Sequence, residues 1–132
     1  MKDYNFFING KEFFSKEGTT LFKKYDPINE NSIFFINSGI VKIEFSYASG
    51  KKYEFFLKEG DIFGIPEVYA DTLRVTSATV ISDSILYVWD KNSFILTVSM
   101  VWELSIYAIK SLSSFTKILN SIYIEKENIK FI

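Results

Sequence analysis

Between positions 40 and 47 the chain alternates: Val41, Ile43, Phe45 and Tyr47 are apolar, while Lys42, Glu44 and Ser46 are polar. That period-two pattern is the signature of a strand with one buried face. Ala48-Ser49-Gly50-Lys51 interrupts it, and Tyr53, Phe55 and Leu57 then alternate with Lys52 and Glu54. Two alternating runs around a short Gly-containing connection predict a β-hairpin. Phe56, on the polar side of the second run, predicts partial cover of that face. Upstream, residues 21–24 read as a short strand ending at Tyr25-Asp26-Pro27, and Ile33-Phe34-Phe35-Ile36 reads as a buried strand stopped by Asn37-Ser38-Gly39. Downstream, 75–81 and 85–89 read as two strands separated by Ser82-Asp83-Ser84. Such spacing predicts an all-β roll or barrel. The run 4–8 either pairs with 11–14 as a small hairpin across Asn9-Gly10 or packs as a helical turn.

After Asp90 the period changes. Asp90 or Asn92 caps a helix, with Ser93 in its first turn. From Val101 a stripe runs through Ser105, Ala108, Leu112, Phe115, Leu119 and Ile122 in alternating steps of four and three. A second apolar set, Trp102, Ile106, Ile109 and Ile118, lies off that seam. A helix with two apolar faces calls for two partners. The expectation is that one face packs on the β-roll and the other on a second copy of the chain; the alternative is one wide buried face.

Composition narrows the chemistry. The 132 residues make one domain by length, with the β-roll at about 12–90 and helices at about 91–122. The 14 Phe and the 48% hydrophobic content supply a core. Net charge is −1, with lysines in scattered pairs such as Lys23-Lys24 and Lys51-Lys52, so no basic face directs the chain to nucleic acid. There is no Cys and no His. Disulfides, thiolate zinc sites, and Ser–His or Cys–His catalysis are thereby excluded; no metal site, no catalytic residue and no enzyme is expected. The apolar run Phe6-Phe7-Ile8 is too short for a signal peptide, and no segment has 18 consecutive apolar residues. The expectation is a cytoplasmic protein without a membrane partner.

Four segments in order then carry a resemblance. Phe34-Phe35-Ile36-Asn37-Ser38-Gly39-Ile40-Val41-Lys42-Ile43 is similar to a strand–Ser–Gly–strand signature. Lys58-Glu59-Gly60-Asp61-Ile62-Phe63-Gly64 is similar to a Gly-Asp-x-Phe-Gly element that opens a phosphate-binding cassette. Ser77-Ala78-Thr79-Val80 resembles the close of that cassette, and 85–94 resembles the last strand leading into helices. Together they resemble the cyclic-nucleotide-binding domain family of catabolite activator proteins and cyclic-nucleotide-regulated effectors, over about residues 12–120. The resemblance implies a mainly β fold, a double-stranded, jelly-roll-like β-roll with C-terminal α-helices. It also implies a cyclic nucleotide ligand, cAMP or cGMP.

In the family a Glu directly after Phe-Gly meets the ribose, and an Arg directly before Ser-Ala pairs with the cyclic phosphate. Here Ile65 and then Pro66 follow Gly64, and Thr76 stands in the Arg position. Glu67, two residues late, and Arg74, two residues early, are the substitutes, on the argument that a shift of two preserves a strand face. Gly64 opens a segment suited to presenting main-chain N–H groups to an anion. The candidate ligand-binding residues are Phe63, Gly64, Ile65, Glu67, Arg74, Thr76, Ser77 and Ala78. In this family the middle of the long helix often touches the base; the residues of the right depth here are roughly Phe115 to Ser121, with Asn120 and Ser121 the polar candidates.

Two functions stay open. One is a sensor that binds a cyclic nucleotide or related anionic small molecule and signals through its C-terminal helix. The other is a degenerate fold without ligand that acts as a dimerisation or protein-interaction module. Regulators of this family carry a helix-turn-helix domain after the long helix. Too few residues follow Asn120 for one, so direct nucleic-acid contact is not expected.

Overall fold

In a computed structural model, residues 9–46 and 49–127 are described, the last five without their side chains. The run 4–8 and the turn at 47–48 therefore lie outside the described residues. The strands are β1 (Lys11–Ser15), β2 (Thr20–Phe22), β3 (Ile33–Ser46), β4 (Lys52–Leu57), β5 (Ile62–Phe63) and β6 (Ser77–Trp89). Helix α1 (Ile65–Ala70) follows β5, and α2 (Lys91–Met100) and α3 (Trp102–Glu127) follow β6.

All strand pairs are antiparallel, and the sheet is organised by its two long strands. β3 and β6 pair along most of their length, from Ile33↔Trp89 to Glu44↔Ser77. On its other edge β6 takes β1 in its second half and β2 in its first. β3 takes β5 early and β4 late. The predicted hairpin is β3–β4, in the register Val41↔Leu57, Ile43↔Phe55, Phe45↔Tyr53. β1 pairs with β6, from Lys11↔Val88 to Ser15↔Ser84.

Two expected breaks are corrected. Asn37-Ser38-Gly39 does not end a strand, and Ser82-Asp83-Ser84 does not separate two; each lies inside one long strand. They face each other as a shared irregularity, with Ser38 opposite Ile85 and Ile40 opposite Ser82 and the register slipping between them. Bulges of this kind bend and twist a strand without ending it. Gly39 sits there at φ 107°, and a Cβ on it would collide with the side chain and backbone of Ser84. The turn-forming residues mark where two long strands kink together.

The sheet divides two apolar layers. Phe34, Ile36, Leu86 and Val88 face inward with Phe22, Val41, Ile43, Phe63 and Ala78 to fill the roll. The alternate residues Ile33, Phe35 and Trp89 face the other way, joined by Ile65, Val68, Phe94, Val101, Leu104 and Ala108 from the helices. A run such as Ile33-Phe34-Phe35-Ile36 is continuously apolar because both its faces are covered.

Asp90 is the α2 cap: its side chain accepts from Ser93 N at 2.7 Å. The carboxyl is held below its usual range by that bond. α2 and α3 meet at a sharp corner, bent by 119°. Among the described residues no single helix is long and apolar enough to cross a membrane. The inner face of α3 carries Leu104, Ala108, Leu112, Phe115 and Ile118, with Val101 just before it. Leu104 and Ile118 belong to this face although the seam reading leaves them out. Trp102, Ile106 and Ile109 point away from the roll, 66%, 39% and 58% exposed, so the single wide buried face is not what the chain forms.

Candidate functional site

The segment joining β4 to β6 is shaped by close backbone fits. A tight turn holds Lys58 to Asp61: Asp61 Oδ2 accepts from Lys58 N at 2.9 Å, and Asp61 N donates to Lys58 O at 3.0 Å. β5 then pairs with Phe34 and Phe35, and the chain reverses at Gly64, the N-cap of α1, at φ 94°. A Cβ on Gly64 would strike the Ser32 carbonyl oxygen, so glycine is required for both reasons. Pro66 in the first turn of α1 pre-sets the helix and removes one N–H from its open end.

Arg74 and Glu67 meet inside this segment, 2% and 4% exposed. Arg74 Nη1 donates to Gly64 O at 3.0 Å and to Glu67 Oε1 at 3.3 Å, and Nη2 donates to Ser32 O at 2.8 Å. The guanidinium also lies 4.1 Å from the centroid of the Phe22 ring. Glu67 Oε2 accepts from Val75 N at 3.3 Å. Burial pushes the guanidinium below its usual range, and the charge and hydrogen bond of Glu67 pull it back, with a smaller pull from Asp26. The two groups form a buried pair that pins α1 to the loop before β6. The face-preserving argument for Arg74 is corrected: β6 begins at Ser77, so Arg74 stands in a loop whose backbone bonds to Asp26 O and Tyr25 N.

Beside this pair lies a cavity of about 270 Å³. That is close to the lower end of the range for small-molecule sites, about 300–1,000 Å³. Phe22, Ile43, Phe55 and Leu57 supply its roll side, and Phe63, Gly64, Ile65, Pro66 and Glu67 the cassette side. Helix α3 covers it with Ser111, Leu112, Ser114, Phe115 and Ile118. The Phe115 ring sits 5.4 Å from Phe55 and 6.4 Å from Phe45, centroid to centroid. Ser111 Oγ accepts from Ile62 N at 2.9 Å, so α3 is hydrogen-bonded to the cassette strand itself.

The sequence-predicted residues divide. Phe63, Gly64, Ile65, Glu67 and Thr76 line the cavity. Arg74 lies behind it in the ion pair. Ala78 is fully buried within the roll, and Ser77 Oγ accepts from Lys24 N at 2.9 Å. Asn120 and Ser121 are on the exposed side of α3, where Ser121 Oγ donates to Lys117 O. Sequence reasoning missed the aromatic walls Phe22, Phe55 and Phe56 and the helix residue Ser111, whereas Phe115 and Ile118 fall within the stretch 115–121 expected on the helix. The inward alternation of β4 pointed to Phe55; Phe56, 57% exposed, reaches the rim from the other side.

A strand-bound cassette, a short helix pinned by an Arg and a long helix covering the cavity agree with the sequence match. The model of the cyclic nucleotide-binding domain matches residues 12–98, well over half of the chain. The chain belongs to the cyclic nucleotide-binding domain family. Solved structures repeat the fold. The catabolite activator protein of Thermus thermophilus matches with a TM-score of 0.68 and 16% identity, over 92% of this chain and 55% of its own. A CooA variant from Carboxydothermus hydrogenoformans matches with a TM-score of 0.69 and 22% identity, over 93% of this chain and 76% of its own. A cAMP-binding acyltransferase from Mycobacterium smegmatis matches with a TM-score of 0.65 and 19% identity, over 77% of this chain and 31% of its own. The chain thus spans just over half the length of the catabolite activator protein. No curated protein matches the sequence.

Proposed function

We propose that this cyclic nucleotide-binding domain is a ligand-sensing regulatory module in which a small molecule in the cassette cavity acts on α3. One observation carries the reading: the cavity has the cassette on one side and α3 on the other, with Ser111 bonded across to Ile62. A ligand that makes different contacts with two placements of α3 shifts the balance between them. The outward set Trp102, Ile106 and Ile109 gives that shift a readout, a homodimer formed through the 101–122 helix, since exposed apolar side chains in a row mark an association surface.

A ligand-free scaffold serving only as a dimerisation module is the second reading. It is favoured by the engagement of Arg74, the residue expected to meet a phosphate, with Glu67. Thr76→Leu separates the two whatever the ligand is. Thr76 is 7% exposed and lies in the cavity wall, so the added bulk fills the cavity from its floor. The sensor reading expects altered hydrogen exchange across 111–122 and a changed monomer–dimer balance by sedimentation. A variant that is folded, with exchange in α3 and association both unchanged, refutes it.

A further inference from the structure

The cavity wall is poor in positive charge and rich in aromatic carbon. Among the lining residues the charged side chains are Lys58, Asp61 and Glu67, one cation against two carboxylates, and Lys58 is exposed. Arg74 does not line it, and its bonds run to Glu67 and to two main-chain carbonyls. A cyclic phosphate would have to displace Glu67 from Arg74 while standing next to the released carboxylate. Pro66 adds no N–H to receive it. An anion in this wall meets repulsion and gains little in return.

The same wall suits a different class of molecule. Phe22, Phe55, Phe63 and Phe115 present aromatic surface. Glu67 binds Arg74 and Val75 N at 3.3 Å each, longer than the usual range for N–H···O bonds. Glu67 is among the lining residues, and an ionised carboxylate has about four lone-pair sites, so two bonds do not exhaust its acceptor capacity.

We propose, building on the sensor reading, that this site takes an uncharged aromatic heterocycle that donates N–H bonds to Glu67 and is packed by the phenylalanines, and that it discriminates against cyclic nucleotide phosphates. The carboxylate selects for donors and against anions. The phenylalanines hold a planar ring. A ligand that packs on Phe115 and reaches Glu67 spans from α3 to the cassette.

The test is calorimetric titration of the full chain with cAMP, adenosine and indole. Adenosine and cAMP share a base and ribose and differ in the phosphate; indole is an uncharged ring with one N–H. The expected result is that adenosine or indole binds at least about tenfold more tightly than cAMP. Phe115→Ala weakens the uncharged probe, and Glu67→Gln, which leaves Arg74 its charge and removes the neighbouring anion, improves cAMP about tenfold. Binding of cAMP as tight as or tighter than both uncharged probes overturns the ligand class and leaves the sensor reading standing. Absence of heat with all three also overturns the ligand class, and Thr76→Leu then decides the sensor reading separately. Should Glu67→Gln fail to fold, the comparison of the three probes on the unaltered chain is decisive alone.

Discussion

Replacing Arg74 by Met removes a charge from a site that holds its partner out of water. Arg74 is 2% exposed and Glu67 4%. The substitution strands the Glu67 carboxylate and takes donors from Gly64 O and Ser32 O. Breaking a buried ion pair from one side costs about 3–5 kcal/mol, mostly through the uncompensated charge. Domains of this size are stable by about 5–15 kcal/mol, so a large part of the total is lost. At about 3–5 °C per kcal/mol for this length, the midpoint of thermal unfolding falls by about 10–20 °C.

The double variant Arg74→Met with Glu67→Leu separates charge from packing. It removes both charges, leaves the two carbonyls without their donors and Val75 N without its acceptor, and relieves the desolvation of the pair, at a net cost of about 1–2 kcal/mol. The second substitution is therefore expected to restore about 2–3 kcal/mol to a protein already damaged by the first. Urea unfolding followed by circular dichroism measures all four corners of the cycle. Two results refute the reasoning: a loss below about 1 kcal/mol for Arg74→Met, or a double variant no more stable than that single one. The first would also show that Arg74 is not committed to the fold, which returns its guanidinium to the service of an anion.

Two further outcomes follow from the helices. Ser111→Ala deprives Ile62 N of its acceptor in a nearly buried position, which costs about 1–3 kcal/mol and raises hydrogen exchange at that amide; Ser105→Ala, whose hydroxyl bonds only within α3 to Trp102 O, serves as the control, and equal exchange in the two variants refutes the tether. Asp90→Ala removes the α2 cap at about 1 kcal/mol near neutral pH. Because the folded carboxyl is held below its usual range, this contribution is present above the unfolded-state value near pH 4 and disappears as pH falls through the folded one. Unfolding curves of the two proteins therefore converge in acid, and a gap that persists there refutes the assignment.

The sequence reveals alternation better than it reveals distance. Val41, Ile43 and Phe45 against Tyr53, Phe55 and Leu57 specify the β3–β4 hairpin because a period of two needs only local information. The same local view mistakes Asn37-Ser38-Gly39 and Ser82-Asp83-Ser84 for ends of strands. What they share is a contact, Gly39 pressed on Ser84, and nothing in either tripeptide shows that the other lies opposite. For the site, Gly64 and Phe63 are legible as parts of a motif, whereas the fate of Arg74 is not. Whether that guanidinium serves a ligand or the fold depends on Ser32 O, 42 residues away in the chain. The aromatic wall is hidden in the same manner, since Phe22, Phe55 and Phe115 come together only once β2, β4 and α3 are placed.

One residue type thus does two jobs in this architecture. A guanidinium behind a short helix can meet an anion that enters the cavity, or it can be satisfied from within by a carboxylate on that same helix. Placing Glu67 on α1 chooses the second: the helix becomes pinned whether or not the cavity is filled, and α1 ceases to be the part that a ligand must order. In the proposed sensing role the wall left to respond is α3, anchored in the core by Leu104, Ala108 and Tyr107 and held on the cavity by Ser111 on Ile62 and by Phe115 on Phe45 and Phe55. The contacts on the cavity are a hydrogen bond and ring packing, each worth about 1 kcal/mol. Each is weaker than the cost of breaking the buried pair from one side, so in the proposed sensing role a ligand acts first on this stretch of the helix, with Trp102 and Ile109 on its outer face.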